Sequence, residues 1–162
     1  LAGALAQGAP SLPVGGLDTT ALSLASFRDV DPLIRGLDAA AYSYEVLAAR
    51  QEDPARQDAW NARGAQLRQA GERVATQAGV AGGAADPRSA VYDVAALLNA
   101  DPTASAAALE TDVARLWITS DLPASARALG VDAALEALLL ARTLAPTGAL
   151  DSPAVVLPGL LD

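Results

Sequence analysis

The chain contains no cysteine, no methionine and no histidine, and every one of its 11 basic residues is arginine. Each absence removes a class of chemistry. Without cysteine these 162 residues hold no disulfide framework, no thiolate metal site and no cysteine nucleophile. Without histidine the commonest general base and metal ligand is missing. A serine nucleophile with neither histidine nor lysine beside it lacks its usual base. Aromatic residues make up only 4% of the chain, so large core anchors are few. Positive charge is also scarce: the net charge is -8 and the pI is 4.4, which argues against nucleic acid and against an anionic membrane surface. The most apolar run, Ala133 to Pro146, is broken by Glu136 and Arg142 and falls short of the roughly 20 residues a membrane span needs. Neither a G-x-x-x-x-G-K-[ST] nor a G-x-G-x-x-G phosphate loop is present, and GVAGG near Gly79 reads as a linker.

What the chain has in abundance is alanine, about a quarter of all residues and the best helix former. The length fits one domain. Residues 1–30 form an irregular arm, with room for a short helix over Thr19 to Val30 carrying Leu22, Leu24 and Phe27. Asp-Pro then occurs four times, at Asp31-Pro32, Asp53-Pro54, Asp86-Pro87 and Asp101-Pro102. This is a helix-start signal: Asp caps free amides, and Pro at the first helical position gives up an N–H that had no partner.

Behind these starts the apolar residues recur at three- and four-residue steps, as in amphipathic helices. Leu33, Leu37, Ala40, Tyr44 and Leu47 define a first helix over Pro32 to Gln51. Trp60, Gly64, Leu67, Gly71 and Val74 define a second over Pro54 to Ala78, stopped by Gly79. Two glycines on its buried face predict close approach of a neighbouring helix near Tyr42 or Tyr44. Residues 87–100 are compatible with a short helix that turns Val91, Ala95 and Leu98 inward, or with a segment lying extended across the helices. A third long helix starts at Pro102 with Ala106, Leu109, Val113, Leu116 and Trp117 on one side, and ends near Ser120. A fourth runs from about Pro123 to Leu144, its apolar members Leu129, Leu135, Leu138 and Leu139. The expected fold is all-α: an up-down four-helix bundle over 31–145 with short connections, followed by a tail at 146–162 whose Val155, Val156, Leu157, Leu160 and Leu161 pack along it.

AAAYSYEVLAAR at Ala39 to Arg50 resembles the first helix of an alanine-rich, ferritin-like family of unknown function from actinobacteria, whose members read roughly E-H-A-x-x-Y-G-Y-G there. QLRQAGERVATQAGV resembles the family's arginine-rich second helix, ADPTASAAALETDVARLW its third, and PGLLD its Phe-Pro-Gly ending. The all-arginine usage fits the high-GC coding of such a source. The resemblance covers about Pro32 to Asp162. It implies a ferritin-like four-helix bundle and, as in many members, export to the cell envelope, for which there is room for a signal peptide or lipid-bearing cysteine upstream of Leu1; the cytoplasm is the alternative. Three departures stand out. The family's Glu-His pair before the tyrosines is Leu37-Asp38 here, its second-helix histidine falls at Gly64, and its Tyr-x-x-Pro is Tyr92-Asp93-Val94-Ala95.

A ferritin-type di-iron site needs inward glutamates and Glu-x-x-His pairs. Each long helix carries one glutamate, Glu45, Glu72, Glu110 and Glu136, but three residues on stand Ala48, Ala75, Val113 and Leu139. Glu45, Glu110 and Glu136 remain candidates for a carboxylate-only metal site, with ordinary ion pairs such as Glu72 with Arg68 as the competing reading. Glu110 lies at the edge of the buried stripe, where a carboxylate needs an arginine or a raised pKa. Tyr42, Tyr44 and Tyr92, with Trp60 and Trp117, are candidates for a pocket or interface, against plain core packing. The composition therefore points away from an enzyme and names no cofactor. It points toward a non-catalytic helical module that works by protein–protein contact, within an envelope or membrane complex or as a homo-oligomer. The alternative is a bundle with an altered, carboxylate-based ligand or metal site.

Overall fold

The computed structural model describes residues 29–145. The expected helix over Thr19 to Val30 falls almost wholly outside them, as does the tail expected to pack on the helices. The described residues are all-helical, with five α-helices: α1 (Asp31–Ala49), α2 (Pro54–Gln77), α3 (Ala95–Asn99), α4 (Pro102–Thr119) and α5 (Arg127–Leu144). A 3-10 turn, Ala124–Ala126, leads into α5.

The Asp-Pro pairs behave in three ways. Asp53 and Asp101 are N-caps, their carboxylates accepting the N–H of Ala55 at 3.1 Å and of Ala104 at 2.7 Å. At the first pair the helix starts one residue earlier. Val30 is the N-cap, buried in the core, and Asp31 makes no capping bond, though its charge suits the positive end of the helix. Asp86-Pro87 starts no helix. The Asp86 carboxylate instead accepts the N–H groups of Gly82 and Arg88 and holds the Arg88 guanidinium, which closes a loop. The end of α2 falls where the sequence places it. Gly79 has φ +72°, and the N–H groups of Gly79 and Val80 bond back to Thr76 and Ala75, so that two free carbonyls of the last turn are satisfied.

All five residues of the α1 stripe are buried, joined by Ile34, Ala41 and Ala48. The α2 stripe is buried as well. Both of its glycines meet α1: a Cβ at Gly64 would sit 3.1 Å from the Ala41 carbonyl oxygen and 3.3 Å from Tyr44 Cβ, and one at Gly71 3.5 Å from Leu37 Cβ. Thus α1 and α2 form an antiparallel hairpin. A second antiparallel hairpin joins α4 and α5, where Gly130 lies against Leu122 and Trp117, and α1 packs on α4 with Gly36 under Leu116.

The connection from α2 to α4 differs from the short link expected. Residues 78–101 climb the length of α1. Arg35 Nε donates to the Pro87 carbonyl, Tyr92 reaches Asp38, and the Arg50 guanidinium at the far end of α1 takes the carbonyls of Leu97 and Ala100. The helices therefore run up, down, down, up, not in simple alternation. Only 95–99 is helical in this stretch. Val91, Ala95 and Leu98 do not face inward: Val91 is 70% exposed and Leu98 54%. The segment is held by its own carbonyls and by Tyr92, not by an apolar stripe.

The last helix also departs from expectation. It begins at Arg127, not Pro123, because the 3-10 turn takes up the first residues. Its inner face is Gly130, Ala133, Ala134, Ala137 and Ala141, small enough to let α5 lie close on α4, while Leu135 and Leu139 point outward. In α4, Ala106, Val113 and Trp117 are buried with Ala114, and Leu109 and Leu116 are half-buried.

Candidate functional site

Each long helix sends one polar side chain to a common interior point. Arg63 of α2 lies on the Trp60–Leu67 stripe, and Glu110 of α4 takes a core position between Ala106 and Val113, so both are forced inside by their registers. The guanidinium meets the carboxylate in parallel, Nε to Oε1 at 2.9 Å and Nη2 to Oε2 at 2.8 Å. The same Oε1 accepts the Tyr44 hydroxyl of α1 at 2.7 Å. The third nitrogen, Nη1, donates to Glu136 Oε1 of α5 at 2.8 Å and to Gln66 Oε1 at 3.3 Å. Glu110 is completely buried and Arg63 nearly so, while Glu136 reaches water at the edge. Trp60 stands edge-on to Tyr44, ring centres 6.4 Å apart, and closes one side.

Burial sets the electrostatics. It pushes the Tyr44 phenol well above its ordinary range, and the adjacent Glu110 charge and hydrogen bond push it further. Burial alone would weaken the Arg63 charge, but the hydrogen bonds and charge of Glu110, and then Glu136, more than offset it and hold Arg63 protonated. Neither group is a base near neutral pH, and each of the three guanidinium nitrogens donates to a protein oxygen. The arrangement ties four helices together.

The candidate carboxylates do not converge. Glu110 and Glu136 share Arg63, whereas Glu45 is half-exposed on the outside of α1 and pairs with Arg68 at 2.7 Å. Among the described residues no three acidic side chains gather where a metal ion would sit. Glu72 pairs with Arg88, not with Arg68, because the 78–101 connection brings Arg88 alongside α2. These ion pairs edge an open groove of about 1350 Å³ between α1, α2 and that connection.

The aromatic candidates split. Tyr44, Trp60 and Trp117 are core residues. Tyr42 and Tyr92 are half-buried and meet with their rings tilted, centres 5.9 Å apart, with the Tyr92 hydroxyl donating to Asp38 Oδ2 at 2.9 Å and accepting the Ser89 N–H. Burial raises the Tyr92 pKa. Sequence reasoning singled out Glu110 but missed Arg63 and Asp38. For Arg63 a signal existed: it lies three residues past Trp60 and four before Leu67, a charged residue at a core step.

No family model, curated protein or solved structure matches the chain. Among the described residues no helix is long and apolar enough to cross a membrane.

Proposed function

We propose that the chain is a non-catalytic, ferritin-like helical module, exported to the cell envelope, that acts through protein–protein contacts as an accessory or structural component. The observation that carries this reading is the Tyr44–Glu110–Arg63–Glu136 network. A ferritin-type interior holds a metal between carboxylates of facing helices. Here a guanidinium stands between Glu110 and Glu136, and the donor set does not fit a metal, since a cation is already supplied by the chain itself. The up-down-down-up order with a single long connection supports the ferritin-like assignment. The envelope location rests on the likeness of AAAYSYEVLAAR and its companion segments to an exported family.

The carboxylate-based metal site has less support, because Glu45 faces outward onto Arg68. The deciding experiment is metal analysis of protein purified without chelator, with melting curves in the presence of Fe(II), Mn(II) and Ca(II). The expected result is no stoichiometric metal and an unchanged Tm. A bound metal that raises Tm, as ligands of the folded state do, overturns the reading. For the contact role, crosslinking in cells followed by fractionation is expected to give discrete adducts in the envelope fraction; an adduct-free cytoplasmic monomer overturns it.

A further inference from the structure

The outer face of α5 presents apolar side chains that nothing among the described residues covers. Val131, Leu135 and Leu139 recur at four-residue steps and are 54%, 49% and 64% exposed. They lie opposite the alanine and glycine face that meets α4. Two charged side chains share this outer side: Asp132 toward the start of the helix and Arg142 in its last turn, both exposed. Neither enters any ion pair among the described residues.

The spacing of these groups selects a partner. Asp132, Leu135, Leu139 and Arg142 follow one another at steps of three, four and three, the seam of a coiled coil. Two copies of α5 laid antiparallel, with the two-fold axis at the level of Ala137, oppose residues equally distant from that level. Leu135 then meets Leu139 of the second copy, and Asp132 meets Arg142 of the second copy, at both ends of the contact. A parallel arrangement would set Asp132 against Asp132 and Arg142 against Arg142. The charges therefore favour the antiparallel one, in which a single surface is self-complementary. We propose that α5 is a self-association face and that its occupant is a second copy of this chain, bound antiparallel. This names the first partner for the contact role and rests on that reading. One helix against one helix is a small patch beside the about 800 Å² per partner of a standard interface, so the dimer is weak and dissociates on dilution.

The test is analytical ultracentrifugation of the full chain from low- to high-micromolar concentration. The expected result is a monomer–dimer equilibrium that Leu139→Glu weakens at least about tenfold, while the circular dichroism melt of the dilute, monomeric chain stays put because Leu139 is exposed. Arg142→Asp alone also weakens the dimer. Combining it with Asp132→Arg restores association, because the swapped charges again face each other across the axis. A chain that is monomeric at every concentration overturns the proposal, as does a dimer indifferent to Leu139→Glu or a double swap no better than the single one. A monomer that dimerises only when 146–162 is removed also overturns it, by making that segment the occupant. A monomeric chain that still forms discrete adducts with another protein sinks the self-pairing and leaves the contact role standing. Bound metal sinks the contact role without changing the mass.

Discussion

Arg63 and Glu110 meet in plane between α2 and α4, two parallel N–H···O bonds of 2.9 and 2.8 Å joining a guanidinium to a carboxylate that no water reaches. Such a pair gains little over a well-packed apolar one, yet breaking it strands a charge. Arg63→Ala is expected to cost about 3–5 kcal/mol, because Glu110 stays buried without its counter-ion. Arg63→Met with Glu110→Leu is expected to cost much less than the two single changes together. Denaturant unfolding of the three variants measures the difference, and strict additivity would remove the network from its central place.

The two glycines of the α2 stripe separate helix propensity from packing. Gly71→Ala brings its Cβ only to ordinary contact with Leu37 and Ile34, so the gain in helix propensity dominates and stability rises by up to about 1 kcal/mol. Gly64→Ala presses on the Ala41 carbonyl, which is backbone and cannot swing away, and a loss of about 1–3 kcal/mol is expected. Thermal melts of the pair should shift in opposite directions.

Caps give a graded series. Asp101→Ala and Asp53→Ala each remove a carboxylate that accepts a first-turn amide, with an expected loss of about 1 kcal/mol. Asp31→Ala removes only a favourable charge, so a smaller loss of about 0.3–1 kcal/mol is expected, fading as salt is added. Urea midpoints at low and high ionic strength check the order.

Alkaline pH tests the interior directly. The folded chain keeps the Tyr44 proton, whereas the unfolded chain releases it near the ordinary phenol value of 10. The contribution is thus complete below that pH and is lost as pH rises beyond it, by up to about 1.4 kcal/mol per pH unit for this one group. Tyr44→Phe is expected to start less stable near neutrality by about 1 kcal/mol, for the lost hydrogen bond, and then to fall less steeply above pH 10. Urea midpoints on either side of pH 10 compare the two slopes.

Periodicity revealed the helices because burial repeats with the helical turn: Leu33 through Leu47 and Trp60 through Val74 needed no tertiary information. Periodicity misled at α5, where leucine ordinarily marks the inner face. The close approach of α4 reverses this, filling the interior with Ala133, Ala134 and Ala137 and leaving Leu135 and Leu139 outside. For the connection, the extended alternative over 87–100 comes nearer the structure than the inward-facing helix, and local sequence could not choose between them for another reason. Its anchors are the Arg50 guanidinium on distant carbonyls and the Tyr92 hydroxyl on Asp38, contacts that carry no local pattern. Of the buried network, Glu110 was visible as a carboxylate at the edge of the buried stripe. Its pairing with Arg63, 47 positions away, depends on how the two hairpins dock.

That docking has a kinetic side. Most of the helix-to-helix contact lies within the α1–α2 and α4–α5 hairpins, each closed by a short loop, so each is local in sequence and quick to form. The step expected to come last is the meeting of the two halves along α1 and α4, with residues 78–101 as tether. A tether of this length adds little closure entropy, because the cost grows only with the logarithm of loop length. The exposed stretch at Ser89, Ala90 and Val91 is then a natural place to cut the chain. The severed halves would carry complementary charges, arginine on one and two glutamates on the other, as their means of finding each other again.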